Sequence, residues 1–265
     1  MELKYKFIIL FIIVFISYEA HFYFKYRGNE KAKFVEENGY IVIPEVISHD
    51  ECDKLTELIF KELKSKDKTE SKINENKNRK DLLLPLNKLT LDVIGKIYLK
   101  YKSLWHKITP NPILAECSSF ISWPKATSQV WHADTENNSK KAKMYSIGIA
   151  LIDFEEDVGP LEVYPKSHFI DDITLDKLKI GISQQFRQYF LERVGYHSIK
   201  LVCKKGSLIV WDSTVYHRGG LNTSNKVRPF FYFSLVEGGK PRPTGGTDSL
   251  KKGYPRNINP VELFE

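Results

Sequence analysis

A β-sandwich or β-barrel with helices packed on its outside is the fold class this sequence predicts. Three observations predict it. Between residues 113 and 236, short runs rich in β-branched and aromatic side chains alternate with turn-like pieces, the signature of closely spaced strands. Most helical patterns are gathered ahead of them, so helices are expected to flank a β core rather than alternate with strands. A hydrophobic share of 42% against 28% charged residues, over 265 positions, is that of an ordinary globular chain with enough length for one large core.

In chain order, Lys4 and Lys6 precede FIILFIIVFISY, and HFYF follows before Lys25 and Arg27. Phe7 to Phe24 is short for a spanning helix of about 20 apolar residues but long enough with snorkelling ends. Residues 1–28 are therefore expected to be a single-pass N-terminal membrane anchor, with a cleaved signal segment as the competing reading. Tyr18-Glu19-Ala20 is a poor cleavage site. Basic residues flank both ends, so no sidedness follows. Residues 29–265 are expected to form one domain.

KAKFVEENGYIVIPEVIS reads as a short helix, a turn at Asn38-Gly39 and a strand at Tyr40 to Ile43. Ser48 followed by Glu51 is a capping-box pattern and opens an amphipathic helix to about Lys64. Residues 65–81 carry few apolar side chains and read as an exposed loop. A second helix is predicted from Leu89 to about His106, ahead of Pro110 and Pro112. Seven strands follow: ILAECSSFISW, SQVWH, KMYSIGIALI, LEVY, HSIKLVC, SLIVWD and RPFFYFSLV. A helical insert at about Leu175 to Leu191 interrupts them.

The net charge of +7 is spread through lysine-rich loops, which reads as a solvated surface and makes a nucleic-acid partner a poor fit. Cys52, Cys117 and Cys203 form no close pair, which argues against a disulfide framework and a cysteine zinc site. Asn137-Asn138-Ser139 and Asn222-Thr223-Ser224 match the glycosylation acceptor pattern, the second as a chance match.

The β half offers His132, Asp134, His168, His197 and His217 as metal ligands. Two imidazoles and one carboxylate on one face of a metal leave positions open, the arrangement suited to non-haem Fe(II) and oxygen. His132 and Asp134 stand two apart, so on a strand both point to the same face. A third ligand must come from a distant strand. His217 is best placed, after the apolar run SLIVW and before Gly219-Gly220. His168 reads as a turn residue and His197 as a loop residue. Arg228 opens the strand RPFFYFSLV, and a guanidinium entering a barrel calls for an anion, best met by a bidentate carboxylate.

This ordered set, His-x-Asp, a distal His and then an Arg eleven residues on, resembles the Fe(II)/2-oxoglutarate-dependent dioxygenases, in particular the phytanoyl-CoA dioxygenase-like branch. FVEENGYIVIPEVISHDECDKL resembles the opening of that family, GPLEVYPKSH is similar to its Gly-x-Leu-x-Val-x-Pro-Gly-Ser-His segment, and KKGSLIVWDSTVYHRGGLNTSNKVRP to its distal histidine region. Together they cover about residues 34–236. Lys166 stands where the family often has glycine, and Gly219 where it often has a hydroxyl residue.

The resemblance implies a double-stranded β-helix, or cupin-like jelly roll, mainly β with flanking helices. It implies Fe(II) held by His132, Asp134 and His217, 2-oxoglutarate as cosubstrate with Arg228 on its far carboxylate, and ascorbate as a reductant. Gln129, Trp131 and Tyr145 are expected to line the pocket, placed there by either core packing or cosubstrate contact, with Gln129 and Tyr145 taken as cosubstrate contacts. The implied reaction is hydroxylation of a lipid or small molecule with release of succinate and CO2. Halogenating relatives replace the carboxylate with a small residue, so Asp134 favours hydroxylation. The rival readings are a hydroxylase of a peptide or protein side chain, and a non-catalytic cupin-like binding module.

Overall fold

The computed structural model describes residues 29–65, 78–170, 184–245, 250 and 258–264. The apolar run at 7–24 lies outside them, as does most of the loop expected at 65–81 and the first part of the predicted insert. Among the described residues no helix is long and apolar enough to cross a membrane.

Among the described residues nine strands form two antiparallel sheets. They are β1 (Tyr40–Ile43), β2 (Arg79–Leu83), β3 (Pro112–Ser122), β4 (Met144–Ala150), β5 (Leu161–Val163), β6 (Ile199–Lys200), β7 (Leu208–Asp212), β8 (His217–Gly219) and β9 (Arg228–Glu237). The large sheet has the order β1-β7-β4-β9-β3-β2 and the small one β6-β5-β8. This two-sheet jelly-roll arrangement, with helices on one side, is the fold class the sequence predicts.

Strand parity divides the large sheet into two faces. Tyr145, Ile147 and Ile149 of β4, Leu208 and Val210 of β7, and Phe231, Phe233 and Leu235 of β9 belong to one core. That core also holds Leu55 and Ile59 of the helix His49–Lys64, Val93 and Ile97 of Lys88–Lys100, and Trp105 of Lys102–Ile108. Ala150, Ile209, Trp211 and Phe230, one position out of phase, pack instead with Leu161 and Val163 of the small sheet. Because side chains alternate with a period of two, the register fixes which residues meet the helices and which meet the second sheet.

The helices start where the sequence places starts. Ser48 Oγ accepts from the Glu51 amide while Glu51 Oε2 accepts from the Ser48 amide at 2.7 Å, a closed capping box. Lys96, from the neighbouring helix, reaches the same Glu51 carboxylate at 2.8 Å. Gly39 ends the helix Glu30–Asn38 at φ 80°, a left-handed cap that glycine adopts without strain.

Three boundaries differ from expectation. The predicted helix at 89–106 is two helices, broken at Tyr101, which closes the first and opens the second. SQVWH forms no strand; only His132 is bridged, to His217. Within the expected loop at 65–81, Arg79 instead starts β2, paired in register with β3 from Arg79–Ser122 to Leu83–Ser118. A lysine-rich stretch carries no periodic signal for such a strand, and the pairing with β3 selects it.

Gly148 shows how tightly the inner face is filled. A Cβ there would sit 2.0 Å from the Phe230 ring, on a central strand whose neighbours are all buried. Gly148→Ala should therefore destabilise the fold by about 1–3 kcal/mol through overpacking, read as a lower midpoint in urea unfolding. An unchanged midpoint would mean that Phe230 repacks freely.

Candidate metal centre

His132 and His217 face each other directly. The amide of each donates to the carbonyl of the other, at 3.0 and 2.8 Å, and their ring centroids stand 4.5 Å apart. Two residues on, the Asp134 amide donates to the Ser213 carbonyl at 2.8 Å. The intervening turn is held by Asp212, whose Oδ1 accepts from the Thr214 amide and hydroxyl at 2.9 and 2.6 Å. Backbone hydrogen bonds thus bring all three side chains together before any ligand is considered.

Each imidazole is oriented in the same way. Nδ1 of His132 lies 2.7 Å from the Val130 carbonyl and Nδ1 of His217 lies 2.9 Å from the Val215 carbonyl. A carbonyl only accepts, so both Nδ1 atoms carry the proton and both Nε2 atoms present a lone pair. Both Nε2 atoms lie 3.6 Å from one oxygen, Asp134 Oδ1. That is too far for a hydrogen bond but within twice a metal–nitrogen bond of about 2.1 Å. Candidate ligand atoms of the three residues all fall within 4.8 Å of one another. Burial, and secondarily the adjacent His132, lower the pKa of His217 against the pull of Asp134, which favours the neutral ligand form. Two neutral imidazoles and one carboxylate with open sides fit Fe(II) better than a closed zinc site.

The segment GPLEVYPKSH braces this arrangement from behind. The Tyr216 amide donates to Ser167 Oγ at 2.8 Å, one residue before His217. His168 Nε2 meets the Glu36 carbonyl at 2.9 Å, so His168 ties a turn to the N-terminal helix and is no ligand. Lys166 adopts φ 67°, the left-handed backbone that glycine occupies without penalty. His197 is exposed. Asn222 is fully buried, with its side chain bonded to the Ser122 and Lys226 carbonyls, so its glycosylation pattern is a chance match.

The triad opens into a cavity of about 230 Å³. Arg228 lies in its wall, 2% exposed, with Nη2 donating to Ser122 Oγ at 3.1 Å and Nε unpartnered. Arg79, on β2, lies in the same wall, 3% exposed, with Nη2 bonded to the Thr127 and Gly220 carbonyls and with Nε and Nη1 unpartnered. Burial pushes Arg79 down to about 10; burial, then Arg79 itself, push Arg228 down to about 9. A guanidinium stays charged in proteins, so these shifts register a demand for an anion. Among the described residues no carboxylate pairs with either arginine.

Gly219 explains how the second arginine fits. A Cβ there would lie 2.1 Å from Arg79 Nη1 and 2.7 Å from Gln129 Oε1. The space that a hydroxyl side chain would fill is taken by a guanidinium. Gln129 lines the cavity and is anchored by accepting from the Gly219 amide at 2.8 Å.

Tyr145 is placed elsewhere. Its odd-numbered position on β4 turns it toward the helices, among Ile147, Phe233 and Leu235. Burial, with Asp212 nearby, raises its pKa well above the usual value. The parity of β4 separates it from the cavity, so the expected cosubstrate contact corrects to a core role. Trp131 likewise packs with Tyr164 at 4.3 Å and under Arg218 at 4.4 Å, outside the cavity wall.

The same cavity also carries two acids. Asp81 of β2 and Glu116 of β3 both line the cavity. A bulge between Leu114 and Glu116 shifts the register of β3, which turns Leu114 to the helix-side core and Glu116 inward. Burial pushes Asp81 up to about 7, against the lowering effect of the Tyr232 hydroxyl. It pushes Glu116 up to about 8, against Ser234 and with reinforcement from Asp81 and Asp134. Arg79, Asp81 and Glu116 all escaped the sequence reading. Only for Glu116 was a signal present, a lone charge inside the apolar run ILAECSSF.

Comparison with known proteins bears on the family and the fold. The family described as Phytanoyl-CoA dioxygenase (PhyH) matches residues 35–230. Among solved structures, the non-haem α-ketoglutarate-dependent carbocyclase SnoK from nogalamycin biosynthesis superposes with a TM-score of 0.58 at 18% identity, over 78% of this chain and 83% of its own. The epimerase SnoN, in complex with Fe3+, α-ketoglutarate and nogalamycin RO, gives 0.63 at 12% identity, over 86% and 93%. HygX from Streptomyces hygroscopicus, with nickel, 2-oxoglutarate and hygromycin B bound, gives 0.59 at 11%, over 88% and 98%. At such identities the likeness concerns the fold. No curated protein sequence matches this chain.

The triad geometry predicts one high-affinity site for a divalent ion. Titration with Mn(II), followed by electron paramagnetic resonance, should give one bound ion in the full chain. His132→Ala and Asp134→Ala should each weaken it at least tenfold. Unchanged affinity in either variant would place the ion elsewhere.

Proposed function

This chain belongs to the phytanoyl-CoA dioxygenase family, and we propose that it hydroxylates a small molecule at an unactivated C–H bond. Like the enzymes of that family it depends on iron and 2-oxoglutarate. The overall reaction consumes the substrate, 2-oxoglutarate and O2, and yields the alcohol, succinate and CO2. When bound, iron supplies the redox chemistry that couples loss of CO2 to oxygen insertion.

The single observation that carries the proposal is the pair of buried, acid-free guanidiniums beside a converged His-Asp-His set. A dicarboxylate supplies what both halves lack. One end would reach the open side of the triad and the other would meet Arg228 in a bidentate, charge-assisted pair. Arg79 adds a second positive charge and two unpartnered nitrogens, Nε and Nη1, to the same cavity. In a low-dielectric pocket such fixed donors hold an anion without reorganising.

The remaining residues position and seal. Ser213 holds Asp134 through the backbone, and Val130 and Val215 hold the imidazoles. Trp211, whose ring stands 5.8 Å from that of His217 and 6.2 Å from that of Phe230, walls the centre with Phe230, which limits access of water. The carboxylate of Asp134 supports hydroxylation over halogenation, since halogenating relatives have a small residue there. A cavity near the lower end of the size range of ligand sites supports a small substrate over a protein side chain presented on a large surface.

Substrate-free turnover provides the test. Succinate should form slowly from 2-oxoglutarate in the iron-loaded protein, and Arg228→Ala should raise the 2-oxoglutarate concentration needed for half-maximal rate by about tenfold to a hundredfold. Arg228→Lys should recover only part of the loss, because an ammonium cannot form the planar pair. An unchanged requirement in Arg228→Ala would move the far carboxylate to another partner.

A further inference from the structure

The acidic pair in the cavity has no task in holding a metal or a dicarboxylate. We propose that it is the substrate subsite, and that the substrate is a small molecule carrying an ammonium group and an oxygen acceptor. This rests on the hydroxylase reading above and names the class of molecule that reading leaves open.

Register builds the subsite as a row across four strands. Glu116 of β3 pairs with Ser234 of β9, Ser234 with Ser146 of β4, and Ser146 with Trp211 of β7. All four line or adjoin the same cavity as the triad. Asp81 joins from β2 through Tyr232, whose hydroxyl lies 3.1 and 3.3 Å from the two Asp81 oxygens and 3.4 Å from Glu116 Oε1. Ser234 Oγ donates to Glu116 Oε2 at 2.7 Å.

Counting donors shows what is missing. The two carboxyl groups present four oxygens, each able to accept more than one hydrogen bond. The Tyr232 hydroxyl has one proton for three neighbouring oxygens, Ser234 supplies one more to Glu116, and the Leu82 amide one to Asp81. Among the described residues no lysine, arginine or histidine forms an ion pair with Asp81 or Glu116. An ammonium group brings three donors and the missing positive charge. The Phe120 and Tyr232 rings, stacked at 5.2 Å with 16° between their planes, line the same space and favour a cation over their faces.

A second, independent feature points the same way. Trp211 is 5% exposed, lines the cavity, and its Nε1–H has no hydrogen-bond partner. A buried indole donor without an acceptor carries a desolvation cost that an oxygen on the ligand would remove. The cavity therefore carries two arginines for the cosubstrate, two acids on β2 and β3, and an indole donor beside His217. A fatty acyl chain would lay hydrocarbon against two carboxyl groups and leave all these donors and acceptors unmet.

The test compares 4-amino-1-butanol with 1,4-butanediol, which match in size and differ in the ammonium. Binding to the full-length protein is measured by calorimetry, both metal-free and with Mn(II) and 2-oxoglutarate. The amino alcohol should bind at least tenfold more tightly than the diol. Asp81→Asn with Glu116→Gln should erase that preference, while affinity for Mn(II) and 2-oxoglutarate stays within twofold. Equal affinity of the wild-type protein for both probes would overturn the proposal, and so would a preference that survives the double substitution. Should the double variant fail to fold, Asp81→Asn alone should lower the preference at least threefold, and an undiminished preference would count against the subsite. Failure of 2-oxoglutarate to bind the wild type would instead strike the hydroxylase reading, because the metal-free comparison decides the substrate class separately.

Discussion

Two backbone hydrogen bonds between His132 and His217 support everything else at this site. They join a segment that is otherwise not a strand to the short strand β8, and they place two imidazoles side by side. Once that pair is set, the bend after His132 carries Asp134 to the same side, where its amide donates to the Ser213 carbonyl. The Nδ1 contacts with Val130 and Val215 then decide which nitrogens are free. The ligand set is preorganised by main chain, which is more rigid than side chains alone would be. Mutations that loosen β8, at Ser167 or in the Asp212 turn, act on the centre without touching a ligand.

Around that centre the large sheet sorts its charges by row. Arg79, Ser122 and Arg228 share one register row, Asp81, Phe120 and Phe230 the next, and Glu116, Ser234, Ser146 and Trp211 a further one. Phe120, Phe230 and Tyr232 lie between the arginine row and Glu116, while Asp81 stands in the row next to Arg79. Neither pair is neutralised by the other, although Arg79 and Asp81 stand two apart on one strand. Keeping like charges grouped and unpaired is unfavourable for the fold alone. It becomes intelligible when ligands of opposite sign complete each pair.

Much of this was legible in the sequence where a residue type and a spacing had a direct physical meaning. His132, Asp134, His217 and Arg228 meet at one cavity as the pattern implied, and the Ser48–Glu51 capping box closes as the helix-start signal implied. Tyr145 was misplaced because a strand of wholly buried residues shows no polar alternation, so nothing local says which face of β4 meets the helices. Arg79 was hidden in a lysine-rich stretch, and only pairing with β3 turns it inward. Glu116 depended on a bulge, which flips the phase of its strand and leaves no trace in composition. Contacts set by long-range register were the ones that local reading could not supply. The apolar run at 7–24 lies outside the described residues, and its expected role as an anchor stands apart from the account of the cavity.

The central claim is that the histidine–aspartate set and the arginine pair are two halves of one site. Anaerobic spectroscopy of the full-length protein with Fe(II) tests it most directly. Addition of 2-oxoglutarate should produce a weak visible charge-transfer band that appears only when both iron and the keto acid are bound, and His217→Ala should abolish it. Wild-type protein that holds one equivalent of Fe(II) yet shows no band at saturating 2-oxoglutarate would contradict the account.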